Sequence, residues 1–291
     1  MDIEKAIVAS NHDPFYLDFW PIVRDAWLDL EITPVLVLIG EEDNTVEDHG
    51  GIIHQIKAVN GFDTGFQAQI SRMYITKLYQ DSVCISSDID MLPISYDYFH
   101  SLGDYSNDSM VILSSDAYEW AALQDDWQQV LYPGLKKFPI CYNAATGSTY
   151  NEILDLSCSF EDYCHRVKLM KKTMIMWMNK NVEPSLSKWN STDIKGAIVP
   201  LDQESSYWDS DECYFAQKIN DFENQDRIIK LTRGWENNTA PNRIDRGNWS
   251  YDDNKIDQYI DSHMLRPLSE YHKEILELTS LIRNKRNEHS A

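Results

Sequence analysis

VCISSDIDMLP, residues 83–93, joins an apolar, strand-like run to two aspartates one residue apart, with a proline three residues beyond the second. Side chains alternate across a strand, so residues separated by one position share a face. If the strand runs on through them, Asp88 and Asp90 point the same way at its end. Two ionised carboxylates held that close repel, and the pKa of one rises unless a cation or a proton lies between them. Hard oxygen ligands suit magnesium, manganese or calcium, and a strand-end site with coordination positions open to phosphate oxygens is a usual way of holding magnesium. Other readings compete. An EF-hand loop needs further ligands and a glycine at fixed positions, where Met91, Leu92 and Pro93 stand instead. Asp63-Thr64-Gly65 suggests an acid-protease dyad, but there is one such triplet and its neighbours read as the approach to a helix. A glycosidase pair stands roughly 5 to 9.5 Å apart across a sugar, which a strand-end pair does not obviously arrange. The bland reading is that one aspartate caps a turn and the other is solvated. The apolar strand ahead and the proline behind favour the metal.

Upstream, KAIVAS (5–10) reads as a buried strand ending in polar turn formers. Residues 14–30 read as one helix opened by Pro14, with Leu17, Trp20, Ile22, Trp27 and Leu30 at roughly helical spacing. TPVLVLIG and GGIIHQIKAV supply two more strands. Phe66, Ile70, Met73, Tyr74 and Leu78 then form the stripe of a helix. Such alternation argues for an α/β sheet with helices on its faces, where ligands gather at the carboxyl ends of the strands. Downstream, SMVILSS reads as a strand and CYNAATGSTYNEIL as a strand, a turn and a helix start. FEDYCHRVKLMKKTMIMWMNK (160–180) mixes basic residues with methionines and reads as core or as an apolar acceptor wall. GAIVPLDQESSYWDSDECYFAQKI gives a strand, a loop and a helix opening near Asp209 to Glu212, where carboxylates suit the helix dipole. The tail reads as an amphipathic helix with a basic end.

The totals bound the function. Against 26 Lys and Arg, 47 Asp and Glu give a net charge of −21, which repels a polyphosphate backbone and argues against nucleic acid as a partner. An anionic ligand is still compatible where an acidic site first recruits a cation. Apolar content of 43% and aromatic content of 12% belong to a folded globular chain. The five cysteines form no Cys-x-x-Cys pair, MDIEKAIVAS lacks the basic flank and apolar run of a signal peptide, and no run approaches the roughly 20 apolar residues of a membrane span. The expectation is a soluble chain in a reducing, cytoplasmic compartment.

With SDIDMLP after a helix that begins near GFDTGFQAQISRMY, residues 1–267 resemble the GT-A glycosyltransferases, whose hallmark is an Asp-x-Asp motif. More closely, they look like the small soluble enzymes typified by large DNA viruses of algae, which would place the chain in a host cytoplasm. The resemblance implies an α/β fold: one GT-A domain with a Rossmann-like mixed sheet flanked by helices. Its nucleotide-binding half would be about 1–110 and its acceptor-binding half about 111–267, followed by a C-terminal helix and tail over 268–291. It implies a Mn²⁺ or Mg²⁺ ion, a UDP-sugar donor and a saccharide acceptor, with xylose transfer to a glycan as the specific expectation. Ala9, Ser10 and Asn11 match the end of the first strand that receives the nucleoside, with Asp13 beside them. Arg72 matches a basic side chain near the diphosphate. Asp88 resembles the ribose or sugar contact as well as a metal ligand, Asp90 the main metal ligand, and His263 in YIDSHMLRP the histidine that completes the metal site. WDSDE resembles the segment that presents the catalytic base of an inverting enzyme, with Asp211 the first choice and Glu212 the alternative. Trp208 is placed to stack on the acceptor. GWENNTAPNRIDRGNW, with Arg243 and Arg246, reads as a loop that orders over the donor and excludes water.

Two other functions fit a divalent-metal site. A sugar-nucleotide pyrophosphorylase carries a glycine-rich phosphate loop near its N-terminus, which IVASNHDPF lacks. A calcium-dependent sugar-binding module would need the acids but neither a base nor a nucleotide site.

Overall fold

The computed structural model describes residues 1–41, 45–119, 137–185, 207, 209–236 and 239–290. The expected strand at GAIV and the expected acceptor-stacking Trp208 lie outside the described residues.

The order of elements begins β1 (Lys5–Asn11), α1 (Pro14–Leu17), α2 (Trp20–Leu28), β2 (Thr33–Ile39), β3 (Ile52–Ile56), α3 (Thr64–Tyr74), β4 (Val83–Ser86), β5 (Met91–Pro93) and α4 (Tyr96–Phe99). It continues with β6 (Met110–Ile112), β7 (Asn143–Thr146), α5 (Gly147–Leu154), α6 (Phe160–Ser185), α7 (Ser210–Asp221), β8 (Ile228–Lys230), β9 (Arg243–Asp245), β10 (Asp261–His263) and α8 (Leu268–Ser290). Seven strands form the main sheet in the order β3-β2-β1-β4-β7-β6-β8, and β5-β10-β9 form a small second sheet. The architecture is mixed α/β with helices on the sheet faces and a C-terminal helix.

β3, β2, β1 and β4 run parallel, while β7 runs against both β4 and β6. A central parallel strand is covered on both faces, which is why KAIVAS is apolar without strict alternation. Ala6 and Val8 pack into one hydrophobic cluster and Ile7 into the other, on the opposite face. The chain moves outward from β1 to β3 and returns to β4 on the far side of β1. That reversal is a topological switch point, where open α/β sheets leave a crevice at the strand ends.

Three local departures from the sequence reading have simple causes. The single helix expected over 14–30 is two, because Pro21 in the first turn of α2 has no N–H to continue a helix from α1. The stripe of α3 ends at Tyr74 and gives way to a 3₁₀ turn, so Leu78 is 57% exposed instead of closing the stripe. The third departure bears on the site: β4 stops at Ser86, and residues 87–90 form a turn that carries the chain into the second sheet. Asp88 and Asp90 therefore lie beyond the strand and do not share a strand face.

α6 is a core helix. Tyr163, Cys164 and Val167 are buried with residues of α3 and α7 and Ile175 is buried too, while Arg166 pairs with Asp155 and Lys171 with Asp209. Asp63 caps α3 by accepting from Phe66 N at 2.9 Å, so the Asp-Thr-Gly triplet is a helix start. Asp13 likewise caps α1. All five cysteines are free thiols. Among the described residues no helix is long and apolar enough to cross a membrane.

Candidate functional site

At the switch point lies a cavity of about 390 Å³. It gathers Ala9, Ser10 and Asn11 from the end of β1, Arg72 from α3, Asp88 and Asp90 from the turn after β4, Asp211 and Glu212 from the start of α7, and Arg246 and His263 from the second sheet and its margin. Of the described residues singled out in the sequence, Asp13 and Arg243 stand apart from this cavity, Asp13 as the cap of α1. Arg243 lines an adjoining chamber of about 440 Å³ that shares Asp88, Tyr118, Glu212, Arg246 and His263 with the first.

Strand pairing explains the meeting of Asp90 and His263. Met91 opens β5 opposite His263 in β10, and Met264 N donates to Asp90 O at 3.0 Å. The Asp90 side chain therefore stands beside the imidazole, with Nε2 3.5 Å from Oδ2. On the other side of β10, Asp245 of β9 sits opposite His263 and approaches Nδ1 at 3.5 Å. Arg246 Nη1 donates to Asp90 Oδ2 at 2.7 Å and Arg266 Nη1 lies 3.3 Å from the same oxygen. Burial disfavours the charge of Asp90, yet the hydrogen bond and charge of His263, with Arg246 and Arg266 behind, hold its carboxyl down at about 2. Burial likewise opposes charge on His263, but the bonds to Asp245 and Asp90 prevail and raise its pKa.

Asp88 faces the other way. Its carboxylate pairs with Arg72, which also donates to Ser87 O at 3.2 Å and to Asp211 Oδ2 at 2.6 Å. Arg72 is thus a buried bridge between the turn after β4 and the start of α7. Among the described residues its buried Nε has no partner. Burial works against this guanidinium, and Asp88 with Asp211 more than offset it and raise its pKa.

The expected three-ligand group of Asp88, Asp90 and His263 is accordingly not assembled, and among the described residues no set of three His, Cys, Asp or Glu side chains is arranged to hold a metal. The reason is the turn, which sends Asp88 back towards α3 and Asp90 on to the second sheet. Asp90 and His263 still face one another as a carboxylate and an imidazole, and Asp245 behind the ring is the kind of partner that orients a ligating histidine. Arg246 and Arg266 share the same Asp90 oxygen, so a divalent cation there would have to displace a guanidinium and take neutral His263, with its remaining oxygens from a diphosphate and water.

Asp211 and Glu212 stand in the first turn of α7. Asp211 is 2% exposed and receives Glu212 N at 2.8 Å besides Arg72. Glu212 receives Tyr118 Oη at 2.6 Å and pairs with Lys137 at 2.6 Å. Burial raises both carboxyls above their usual range, against the pull of Arg72 on Asp211 and of Lys137 on Glu212. Two such adjacent acids suit proton transfer nearer neutrality than an ordinary carboxylate does. Glu212 lines both chambers, whereas Asp211 lines the first alone.

Reading the sequence missed Tyr118, Lys137, Asp209 and Arg266, all of which line the main cavity. Arg266 was legible in principle, three residues beyond His263 and before a proline. Lys137 and Tyr118 carried no signal, because each reaches Glu212 only through the fold. Arg243 belongs to β9 and grips Asp261, so this part of the presumed loop is a strand.

No protein-family model matches the chain, and no curated protein matches it. Among solved structures, the galactosyltransferase LgtC in complex with donor and acceptor sugar analogs is 13% identical, with a TM-score of 0.48 over 96% of this chain and 95% of that one. The bifunctional glycosyltransferase WbbM is 8% identical, with a TM-score of 0.46 over 96% of this chain and 49% of that one. GlyE of Streptococcus pneumoniae TIGR4, a glycosyltransferase, is 9% identical, with a TM-score of 0.43 over 100% of this chain and 64% of that one.

Proposed function

We propose that the chain is a GT-A glycosyltransferase that moves a sugar from a UDP-sugar to a saccharide acceptor with inversion, the donor lying in the main cavity and the acceptor in the adjoining chamber. The observation that carries this reading is the common wall: Asp88, Glu212, Arg246 and His263 face both chambers, so groups for activation and for charge stabilisation stand where two substrates would meet. In this scheme Ala9, Ser10 and Asn11 receive the nucleoside at the end of β1. Asp90 and His263 would hold Mn²⁺ or Mg²⁺, with Asp245 orienting the ring. The ion, when bound, supplies a Lewis acid for the charge that develops on the departing diphosphate. Arg246 and Arg266, already at Asp90, add two fixed cations beside it.

Glu212 accepts the proton of the acceptor hydroxyl as the new glycosidic bond forms and the bond to the diphosphate breaks on the opposite face of the sugar. Glu212 takes precedence over Asp211 as the base because it reaches both chambers, while Asp211 is enclosed and gripped by Arg72. Asp211 then acts through Arg72, fixing Asp88 at the sugar. Xylose is the donor sugar proposed first.

Calorimetry with UDP, with and without Mn²⁺, tests the site. Metal-dependent UDP binding is expected, and failure to bind UDP removes the reading. Product NMR with UDP-xylose should show an inverted anomeric centre, and retention of configuration discards Glu212 as the base.

A further inference from the structure

On the floor of the second chamber two guanidinium groups share one buried carboxylate. Asp261 is fully buried and is gripped from two sides. Arg233 donates from Nη1 and Nη2 at 2.8 and 2.9 Å, and Arg243 from Nε and Nη2 at 2.8 and 2.7 Å. One carboxylate thus serves two guanidinium groups that are 2% and 6% exposed. Arg233 turns its other donors to the carbonyls of Pro241 and Asn242 at 3.3 and 3.2 Å. Arg243 directs its bonds to Asp261, and it is Arg243, not Arg233, that lines the chamber. Buried charge is costly unless it is paired.

A second observation points the same way. Trp235 lines the same chamber with its ring 5.2 Å from the Arg243 guanidinium, and among the described residues its buried Nε1 donor has no partner. Indole N–H groups are normally satisfied when buried. The acids on the chamber wall are all occupied: Asp88 with Arg72, Glu212 with Lys137 and Tyr118, and Asp245 with His263 and Gly247 N. Arg246, at the rim, shares Asp90 with Arg266 and His263. An indole donor without a partner and the guanidinium groups of Arg243 and Arg246 therefore line one chamber whose acids are already engaged, and an oxyanion is the group all three can bind.

We propose that the second chamber takes a saccharide bearing an oxyanion, a carboxylate or a phosphate, held by Arg243 and Arg246 with Trp235 against its ring. As the acceptor assignment this rests on the transfer reading above; as a binding site it stands on the chamber alone. A planar fork is suited to such groups in a way that an ammonium is not.

Binding is measured by saturation-transfer NMR, without donor, for three matched pairs: glucose with glucuronate, galactose with galacturonate, and glucose with glucose 6-phosphate. At least one anionic member should bind about tenfold or more tightly than its neutral partner, the increment of a charge-assisted hydrogen bond. Which anion gains tells a uronate site from a phosphate site. Arg243→Lys keeps a cation on Asp261 but removes the fork, and should cut the advantage below about threefold. Arg246→Gln, at a side chain 29% exposed, is a second variant that leaves the buried trio alone and should weaken the anionic member selectively. Equal binding within every pair, or an advantage that survives both substitutions, overturns the proposal. If UDP binds but no anionic saccharide is preferred, the transfer reading stands and this one falls. If the preference is present without UDP binding, the transfer reading falls and the anion site stands.

Discussion

Replacing Arg72 by methionine keeps an apolar stem and removes the guanidinium that bridges Asp88 and Asp211. Its side chain is 9% exposed and that of Asp211 3%, whereas that of Asp88 is 38% exposed. Breaking a buried ion pair from one side costs about 3–5 kcal/mol, because the remaining charge is left uncompensated. Water reaches Asp88, so its share is small. At neutral pH the melting temperature should fall by roughly 6–20 °C, taking about 2–4 °C per kcal/mol for a chain of this size class. The sign with pH follows from Asp211. Burial already raises its carboxyl above the ordinary value, and Arg72 is the main force opposing that rise. Without Arg72 the folded-state value climbs further. A raised folded-state pKa gives stability that is present in full below the unfolded value near 3.9 and lost as pH rises through the folded value. The deficit of Arg72→Met should therefore be larger at about pH 7.5 than at about pH 5, and adding Asp211→Asn should restore more than half of it at the higher pH. Thermal unfolding of wild type, single and double variants at both pH values measures this. A single variant within about 2 °C of wild type near pH 7.5, or a double variant no more stable than Arg72→Met, refutes the buried bridge.

Asp90→Asn removes the carboxylate shared by His263, Arg246 and Arg266, and should abolish the Mn²⁺-dependent part of UDP binding in calorimetry; unchanged affinity in Mn²⁺ rules out the Asp90–His263 site. Glu212→Gln should lower transfer by about 10² to 10⁴ and leave donor affinity intact, the effect of losing a positioned base. If Asp211→Asn does this and Glu212→Gln does not, the two roles are exchanged. Asp261, pulled below the usual carboxylate range by Arg243 and Arg233 against the cost of burial, gives stability present above about pH 3.9 and lost as pH falls towards its folded value. Asp261→Asn should cost about 3–5 kcal/mol in denaturant unfolding and flatten the acid limb of the stability profile; a variant that keeps the wild-type acid limb shows that Asp261 does not set it.

The main sheet was legible because its parallel strands are continuous apolar runs and α3 carries a clean stripe with Asp63 capping it. The extent of β4 was not. An apolar run followed by Ser-Ser-Asp gives no sign of where pairing stops, and the partner that ends it, β7, begins at Asn143. The site residues were found because they are polar at the ends of such elements. Their partnerships were hidden, since Arg72 and Asp211, or Glu212 and Lys137, meet only through the fold. The second sheet was missed for a different reason: strands of three residues have too few positions to show a period. Even so, Arg243-x-Asp245 and Asp261-x-His263 are complementary at period two, and the parallel register sets Arg243 beside Asp261 and Asp245 beside His263.

That register ties stability to chemistry in the second wall of the crevice. Three strands of three residues bury too little apolar area to hold themselves together, and sheets of this size need external support. Here the support at one end of β10 is ionic, Asp261 between Arg233 and Arg243, and two residues along the same face stands His263. A shift of β10 by one residue would turn both Asp261 and His263 to the other face, so the ion trio fixes the place of the imidazole as well as the strand. An apolar contact could supply the same cohesion, but it would offer nothing to a ligand. Arg243 does both, gripping Asp261 with Nε and Nη2 while its side chain lines the chamber.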